Sequence, residues 1–133
     1  MKNTRLALYL ILLTLTISSF KSPMQNYGPW QATCYKGLDY CTMLKKCDQS
    51  DGRCEWRVKF RNRYQDVVNF SSNVTESSIS SSETRKRDSI LPGRESTADT
   101  YYLSEASSVN VFVGKVTLGK DNYYSSNYVT CGN

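Results

Sequence analysis

Residues 54–70 read CEWRVKFRNRYQDVVNF, and this stretch has the clearest strand pattern in the chain. In its first part Trp56, Val58 and Phe60 occupy the even-numbered positions, and charged residues occupy the odd-numbered positions between them. Positions of the same parity, even or odd, point to the same face of a strand. Alternation at period two, with aromatic and β-branched residues, is typical of a strand with one buried face. After a polar turn, residues 67–74 predict a second strand that folds back. The stretch therefore predicts a two-stranded ribbon with an apolar face and a basic face.

The beginning of the chain predicts a secretory signal peptide. Lys2 and Arg5 make it basic, residues 6–17 form an almost unbroken apolar run, and two serines follow. This run is shorter than the ~20 residues that a membrane-spanning helix needs, and it has the form of a signal peptide. We therefore predict a signal peptide over 1–22, a secreted, extracellular or periplasmic protein without a membrane span, and one domain over 23–133.

Removal of the predicted signal peptide changes the charge balance. The full chain of 133 residues has 17 basic and 12 acidic residues and a net charge of +5. Lys2, Arg5 and Lys21 fall within residues 1–22 and no acidic residue does, so 14 basic and 12 acidic residues remain. A net charge of +2 does not predict nucleic-acid binding. It leaves room only for a local basic patch.

A turn signal in residues 48–53 (DQSDGR) predicts a hairpin, because Asp-Gly pairs favour tight turns between strands. If Cys47 and Cys54 lie directly opposite each other across the hairpin, where they could form a disulfide, the same register places Met43 opposite Val58. Apolar side chains of both strands then share one face, which a one-residue slip would prevent. We therefore predict a Cys47–Cys54 disulfide across this hairpin.

Three further cysteines remain. Cys131 lies in a tail that would fray without a bridge, and Cys34, near the other end of the domain, is its predicted partner. Cys41 is then the odd cysteine, a free thiol that the hairpin register places on the inward face, opposite Phe60. Disulfides are typical of small secreted domains. The cysteine spacings do not match a metal motif, and we expect no metal and no cofactor.

The rest of the chain predicts more short strands. A serine-rich segment at about 75–84 predicts a mobile loop, and residues 84–91 and 98–103 predict strands. Residues 109–118, VNVFVGKVTL, carry apolar side chains on both parities, so we predict a central strand covered on both faces. About seven strands and no helix predict an all-β fold: a single antiparallel β-sandwich, immunoglobulin-like or fibronectin-III-like.

Three motifs of the sequence carry a resemblance. They are WRVKFRNRY at 56–64, the LPG turn at 91–93 and VNVFVGKV at 109–116. With these motifs, about half of the chain after the signal peptide resembles a loose set of small secreted bacterial proteins of the Bacteroidetes type. The resemblance implies a β-sandwich without an assigned activity. No site residue is carried over from it, because its motifs are structural.

The sequence has no histidine, which excludes Ser-His-Asp and Cys-His hydrolysis and any acid–base step by an imidazole. Carboxylates remain. Asp48 and Asp51 lie together in the predicted hairpin turn, where they would serve glycoside hydrolysis or a weak calcium site. Their ordinary role in such a turn is to fix the backbone, and we prefer that interpretation.

The candidate binding residues form a basic row along one strand. Its members, spaced by roughly 7 Å at the rise of a strand, are Arg57, Lys59, Arg61 and Arg63, with Tyr64 beside them. Such a row suits an anionic polysaccharide, a lipid headgroup or an acidic protein, although a solvated outer face is the plainer interpretation.

Ten tyrosines, with pairs at 101–102 and 123–124, suit carbohydrate or protein recognition or simply complete a thin core. Asn69 and Asn73 begin two N-glycosylation sequons on the predicted outward parity, which matter only in a eukaryotic host.

These observations predict a secreted, non-enzymatic β-sandwich that binds a protein or an anionic or carbohydrate ligand through its basic face or its tyrosine-bearing tail. A small carboxylate-dependent hydrolase, a disulfide-containing inhibitor and a structural subunit are the alternatives.

Overall fold

The computed structural model describes residues 26–79, 83–104 and 107–132. The predicted signal peptide and the middle of the serine-rich loop lie outside these residues. The described chain is all-β, as predicted, and in it no helix is long and apolar enough to cross a membrane. Seven strands and one short 3-10 helix follow in order: β1 Gln31–Ala32, β2 Leu38–Asp48, β3 Arg53–Asn62, β4 Val68–Glu76, β5 Lys86–Ile90, β6 Asp99–Leu103, β7 Val109–Leu118 and the 3-10 helix Lys120–Asn122.

The strands form two antiparallel sheets, one of four strands in the order β1-β2-β3-β6 and one of three in the order β5-β4-β7. Their inward faces meet in one apolar core. Its buried members are Tyr35, Leu38, Val58, Phe60, Val68, Phe70, Val74, Ile90 and Val116. The predicted sandwich is therefore confirmed.

The predicted ribbon of residues 54–74 is wrong, because β3 and β4 lie in different sheets. Each strand has an apolar face, and the two faces meet across the core, where the rings of Phe60 and Phe70 lie 4.8 Å apart. Asn62 fixes the crossing. Its buried side-chain amide donates to the carbonyl oxygens of Asp66 (2.8 Å) and Ile90 (2.9 Å).

The β2–β3 hairpin contains a bulge at Lys45. Below it Cys47 and Cys54 are paired and form the predicted disulfide. On the side of the bulge away from the turn, the register is shifted by one residue from the predicted one, because a bulge sets two residues of one strand against one residue of the other. Met43 then faces Arg57 instead of Val58. The predicted pairing of Met43 with Val58 is therefore wrong, and Met43 lies on the outer face of the sheet.

Cys41 is a free cysteine, as predicted, but the predicted inward position is wrong. The bulge places it opposite Lys59 instead of Phe60, on the outer face of the four-stranded sheet. It is buried there, and this burial raises the pKa of its thiol. The thiolate is the reactive form of cysteine, so the site keeps Cys41 in its inert form.

β7 is an edge strand of the three-stranded sheet, so the predicted central position of residues 109–118 is wrong. A second bulge, at Lys115, explains the pattern. Lys115 has a φ of 52°, and the register with β4 shifts between Asn69 and Ser71. Val113 before the bulge and Val116 after it therefore both turn toward the core. Apolar residues occupy both parities because the parity changes within the strand.

The C-terminal tail closes one side of the sandwich. The Val129 amide donates to the Val116 carbonyl on β7 at 2.7 Å, and the Gly132 amide donates to the Cys34 carbonyl at 2.8 Å. The predicted Cys34–Cys131 disulfide is present and ties the tail to the entry of the four-stranded sheet. Two disulfides are typical of proteins that fold in an oxidising environment.

Candidate functional site

The basic row lies on the outer face of the four-stranded sheet. Arg57, Lys59 and Arg61 alternate along β3 and so project from one face, and Arg63 follows just beyond the strand. Lys45 joins them at the bulge of β2. The structure therefore brings the predicted basic residues together. We call this surface, with the acidic and aromatic residues described next, the outer face.

Tyr64 is not part of this surface. Its ring packs against the hydrophobic core and lies over Gly37, where a Cβ atom would come within 2.6 Å of the ring carbons. Glycine is therefore required at position 37, and Tyr64 has a packing role at the turn after β3.

Asp39 on β2 holds two of the arginines. Its Oδ2 accepts from Arg61 Nη2 and from Arg63 Nε, each at 2.7 Å, and its Oδ1 accepts from Arg63 Nη2 at 3.0 Å. Burial acts to raise the pKa of Asp39, but the hydrogen bonds and charges of the two guanidinium groups outweigh burial, so that this pKa lies below its usual value. Asp39 is thus ionised and fixes both side chains.

Two further carboxylates bind the remaining cations of the row. Glu55, on β3, accepts from Lys45 Nζ at 3.0 Å and from Arg57 Nη2 at 3.4 Å. The hydrogen bond from Lys45 is the main cause that lowers the pKa of Glu55. Glu95 lies 3.8 Å from Lys59 Nζ. The outer face therefore carries five cations and three carboxylates, which leaves an excess of positive charge.

Two aromatic rings complete the outer face. The Trp30 ring lies 4.6 Å from the guanidinium carbon of Arg61, and the Tyr27 ring lies 4.9 Å from Lys59 Nζ. Both distances are in the range of cation–π interactions. The segment that carries the rings follows the edge of β2, where the Gly28 amide donates to the Thr42 carbonyl at 2.9 Å. Lys59 and Arg61 are therefore ordered by ring contacts as well as by ion pairs.

Sequence reasoning missed the acidic and aromatic members of this surface. Glu55 shares the outward parity of β3 with the basic row, which was an available signal. Asp39 has the parity of Cys41, which the predicted register placed inward, and only the bulge at Lys45 brings it opposite Arg61. Tyr27 and Trp30 precede the first strand, and no pattern in their own segment places them over β3. Their position follows only from the pairing of the N-terminal segment with β2.

The two turn aspartates have backbone roles. Asp48 Oδ1 accepts from the Ser50 amide at 2.8 Å, and Asp51 Oδ1 accepts from the Arg53 amide at 2.9 Å. Both hydrogen bonds close tight turns, as the preferred interpretation expects. Within residues 26–79, 83–104 and 107–132, no three His, Cys, Asp or Glu side chains form a group suited to a metal ion.

Both sequon asparagines lie on the outward parity of β4, but their side chains are buried. Asn69 Nδ2 donates to the Gly119 carbonyl at 3.0 Å, and Asn73 Nδ2 donates to the Glu83 carbonyl at 3.0 Å. A glycan is attached to this nitrogen. Both side-chain nitrogens are therefore covered in the folded chain, because neighbouring segments lie over this face.

A cleft of about 360 Å³ separates the edges of β5 and β6. Lys86 at this place binds the Asp88 carboxylate at 3.3 Å on its own strand and the Asp99 carboxylate on β6. Burial acts to lower the pKa of Lys86, but the two carboxylates outweigh burial and raise it. Lys86 therefore remains charged and links the two sheets.

Comparison with protein-family models, with curated proteins and with solved structures gives no match for this chain. The role of the outer face is therefore argued from its own residues.

Proposed function

We propose that the protein is a secreted, non-enzymatic binding protein and that its outer face holds an acidic surface of a partner protein. The observation that supports this proposal most is the fixed arrangement of five cations, three carboxylates and two aromatic rings on one sheet face. The two disulfides and the N-terminal sequence pattern support secretion.

A protein partner suits this surface better than a uniformly anionic polymer. Asp39, Glu55 and Glu95 lie among the cations and would repel a polysaccharide that carries negative charge along its whole length. A partner protein offers both signs of charge and can match the mixed pattern. Arginine, tryptophan and tyrosine are also the residue types that dominate binding energy in protein interfaces.

The proposed absence of enzymatic activity rests on residue chemistry. The chain has no histidine, and the carboxylates of Asp48 and Asp51 are engaged in turn hydrogen bonds. An inhibitor would use the same outer face and is a special case of the proposed function.

A titration with two probes tests the proposal. The isotope-labelled, disulfide-bonded protein is titrated with an acidic peptide that contains both glutamate and tyrosine, and separately with a heparin oligosaccharide. We expect the peptide to shift backbone amide resonances along β3 more strongly than the heparin does. Shifts confined to the cleft between β5 and β6, or tighter binding of heparin, would count against the proposal.

The double variant Arg57→Gln, Arg63→Gln is the matching test of the site. It leaves Lys45 on Glu55 and Arg61 on Asp39, so each carboxylate keeps one partner. We expect its affinity for the peptide to fall about tenfold, which corresponds to about 1.4 kcal/mol. The control Arg85→Gln, Lys120→Gln removes two exposed cations elsewhere, and its affinity should stay within about twofold of wild type, since lost net charge alone has a small effect.

A further inference from the structure

Among the edges of the two described sheets, the free edge of β7 is the least protected. β7 pairs with β4 on one side only, over Val109–Leu118. The tail reaches it through one backbone hydrogen bond, from Val129 to Val116. Along residues 109–114, no other described segment adds a backbone hydrogen bond. An edge of this length presents a row of free amide and carbonyl groups.

The three other edges carry protection that β7 lacks. β1 has only two residues. β5 has five, and Lys86, Arg87 and Asp88 put three charges on it. β6 also has five, and its Asp99 is bound to Lys86 across the cleft. Short length and charge are the usual means of preventing edge pairing. Residues 109–114, VNVFVG, have neither charge nor proline.

The sequence of this edge is complementary to itself. An antiparallel pair of β7 strands with a two-fold axis at Val111 sets Val109 of one copy against Val113 of the other. Val111 then faces its own counterpart, and Asn110 faces Phe112. The three valines pack against the core in each copy, so pairing extends one continuous apolar layer. No like charges oppose each other, and cross-strand valine pairs are favourable.

From these observations we infer that two copies of the chain pair through β7 and join their three-stranded sheets into one six-stranded sheet. A second copy is favoured over a foreign strand because the edge matches itself about a two-fold axis, the commonest symmetry of protein dimers. The inference goes beyond the proposed function, because the outer face lies on the other sheet and stays open in such a dimer.

Analytical ultracentrifugation of the disulfide-bonded protein over a range of concentrations tests the dimer. We expect a concentration-dependent shift from monomer to dimer. Phe112→Lys and Phe112→Glu should each abolish it, because position 112 faces Asn110 of the other copy and the two like charges then lie diagonally across the new strand pair, roughly 7–8 Å apart. An equimolar mixture of the two variants should restore dimers, which a loss of folding does not do. The control Leu91→Lys changes an exposed apolar residue away from β7 and should still dimerise.

A wild-type protein that stays monomeric at all concentrations would overturn the inference, as would a dimer that survives both Phe112 variants. If a variant loses its β circular dichroism, amide exchange of the wild type decides the question. Residues 109–114 should then exchange more slowly at high than at low protein concentration. Equal exchange at both concentrations would also overturn the inference.

Discussion

Asp39 is the residue that orders one end of the outer face. Its side chain is 6% exposed and accepts three hydrogen bonds from Arg61 and Arg63. Burial acts to raise the pKa of Asp39, but the hydrogen bonds and charges of the two arginines have the larger effect, so this pKa is lowered in the folded chain. A carboxyl group whose pKa is lower in the folded than in the unfolded chain stabilises the fold. This contribution is fully present at pH values above the unfolded pKa, about 3.9, and it is lost as the pH falls through the folded pKa.

We therefore predict that Asp39→Asn lowers the free energy of unfolding at pH 7 by about 1–3 kcal/mol. It should also reduce the loss of stability between pH 6 and pH 3, because the variant has no carboxylate to protonate at this site. Urea unfolding at several pH values measures both effects. Asp121→Asn, on the exposed 3-10 helix, is the control and should keep the wild-type acid slope. An unchanged slope in Asp39→Asn would contradict the prediction.

Lys115 is the residue of the β7 bulge, and its φ of 52° lies in the left-handed region. This conformation costs a non-glycine residue about 1 kcal/mol or more, and glycine adopts it freely. The Lys115 carbonyl, which accepts from Arg87 at 3.1 Å, is unaffected by the side chain.

Lys115→Gly should therefore raise the free energy of unfolding, by up to about 1 kcal/mol. Thermal or urea unfolding measures the change. Lys46→Gly, on an exposed β2 residue outside the left-handed region, is the comparison and should lower stability, because glycine weakens an ordinary strand. A lower stability of Lys115→Gly would show that the side chain, not the backbone, matters at this position.

At the scale of the strands, period-two patterns predicted where strands lie but not how they face each other. β6 and β7 closely match the strands predicted at 98–103 and 109–118, because β-branched and aromatic alternation is local. The bulges at Lys45 and Lys115 each reverse the parity within a strand. A bulge has no strong sequence signal when its residue is a lysine. The faces of Cys41 and Met43 were therefore assigned wrongly from the sequence.

Partner choice between strands is also not a local property. The two strands around the turn at 63–67 have apolar faces that fit equally well side by side or across a core. The buried Asn62, which binds the Ile90 carbonyl from another strand, is part of what selects the crossing. This hydrogen bond depends on β5, 28 residues away, and no pattern in residues 54–70 contains that information.

Arg87 fastens the C-terminal tail to the outer side of the three-stranded sheet. Its Nε donates to the Tyr123 carbonyl at 2.7 Å, its Nη1 donates to the Lys115 carbonyl, and the guanidinium lies 5.0 Å from the Tyr123 ring. Lysine has the charge but not the planar fork that makes these bonds together.

Arg87→Lys should therefore loosen the tail without unfolding the sandwich. We expect the Val129 amide, which donates to Val116, to exchange at least tenfold faster, while the amides paired between β2 and β3 stay protected. Hydrogen–deuterium exchange with peptide or residue resolution measures both. Arg94→Lys, in the loop after β5, is the control. Equal protection of Val129 in Arg87→Lys and wild type would show that the disulfide alone holds the tail.

Across the full chain, the turn between Cys47 and Cys54 and the position of the tail were sufficient to predict both disulfides. The outer face was only half predictable. The basic residues follow from one strand, but their acidic and aromatic partners come from β2, from the loop before β6 and from the N-terminal segment. Such contacts depend on the order of strands in the sheet, which a single sequence does not specify.

The two disulfides should contribute unequally to stability. Cys34 and Cys131 are 97 residues apart, and Cys47 and Cys54 are 7 apart. A cross-link restricts the unfolded chain more when it closes a longer loop. The chain-entropy relation gives about 4.7 kcal/mol for a loop of roughly 100 residues and about 2.5 kcal/mol for one of roughly eight. The Cys34–Cys131 disulfide also joins the tail to the four-stranded sheet, so its removal should expose the side of the sandwich next to β7.

We therefore predict that Cys34→Ala, Cys131→Ala lowers the free energy of unfolding by about 2 kcal/mol more than Cys47→Ala, Cys54→Ala does. Urea unfolding of both double variants measures the difference, and Cys41→Ala provides a control that removes a cysteine without removing a cross-link. The control should show only the small cost of a cavity beneath the outer face. Equal losses in the two double variants would mean that strain or contacts in the folded state, rather than the entropy of the unfolded chain, determine what each bridge contributes.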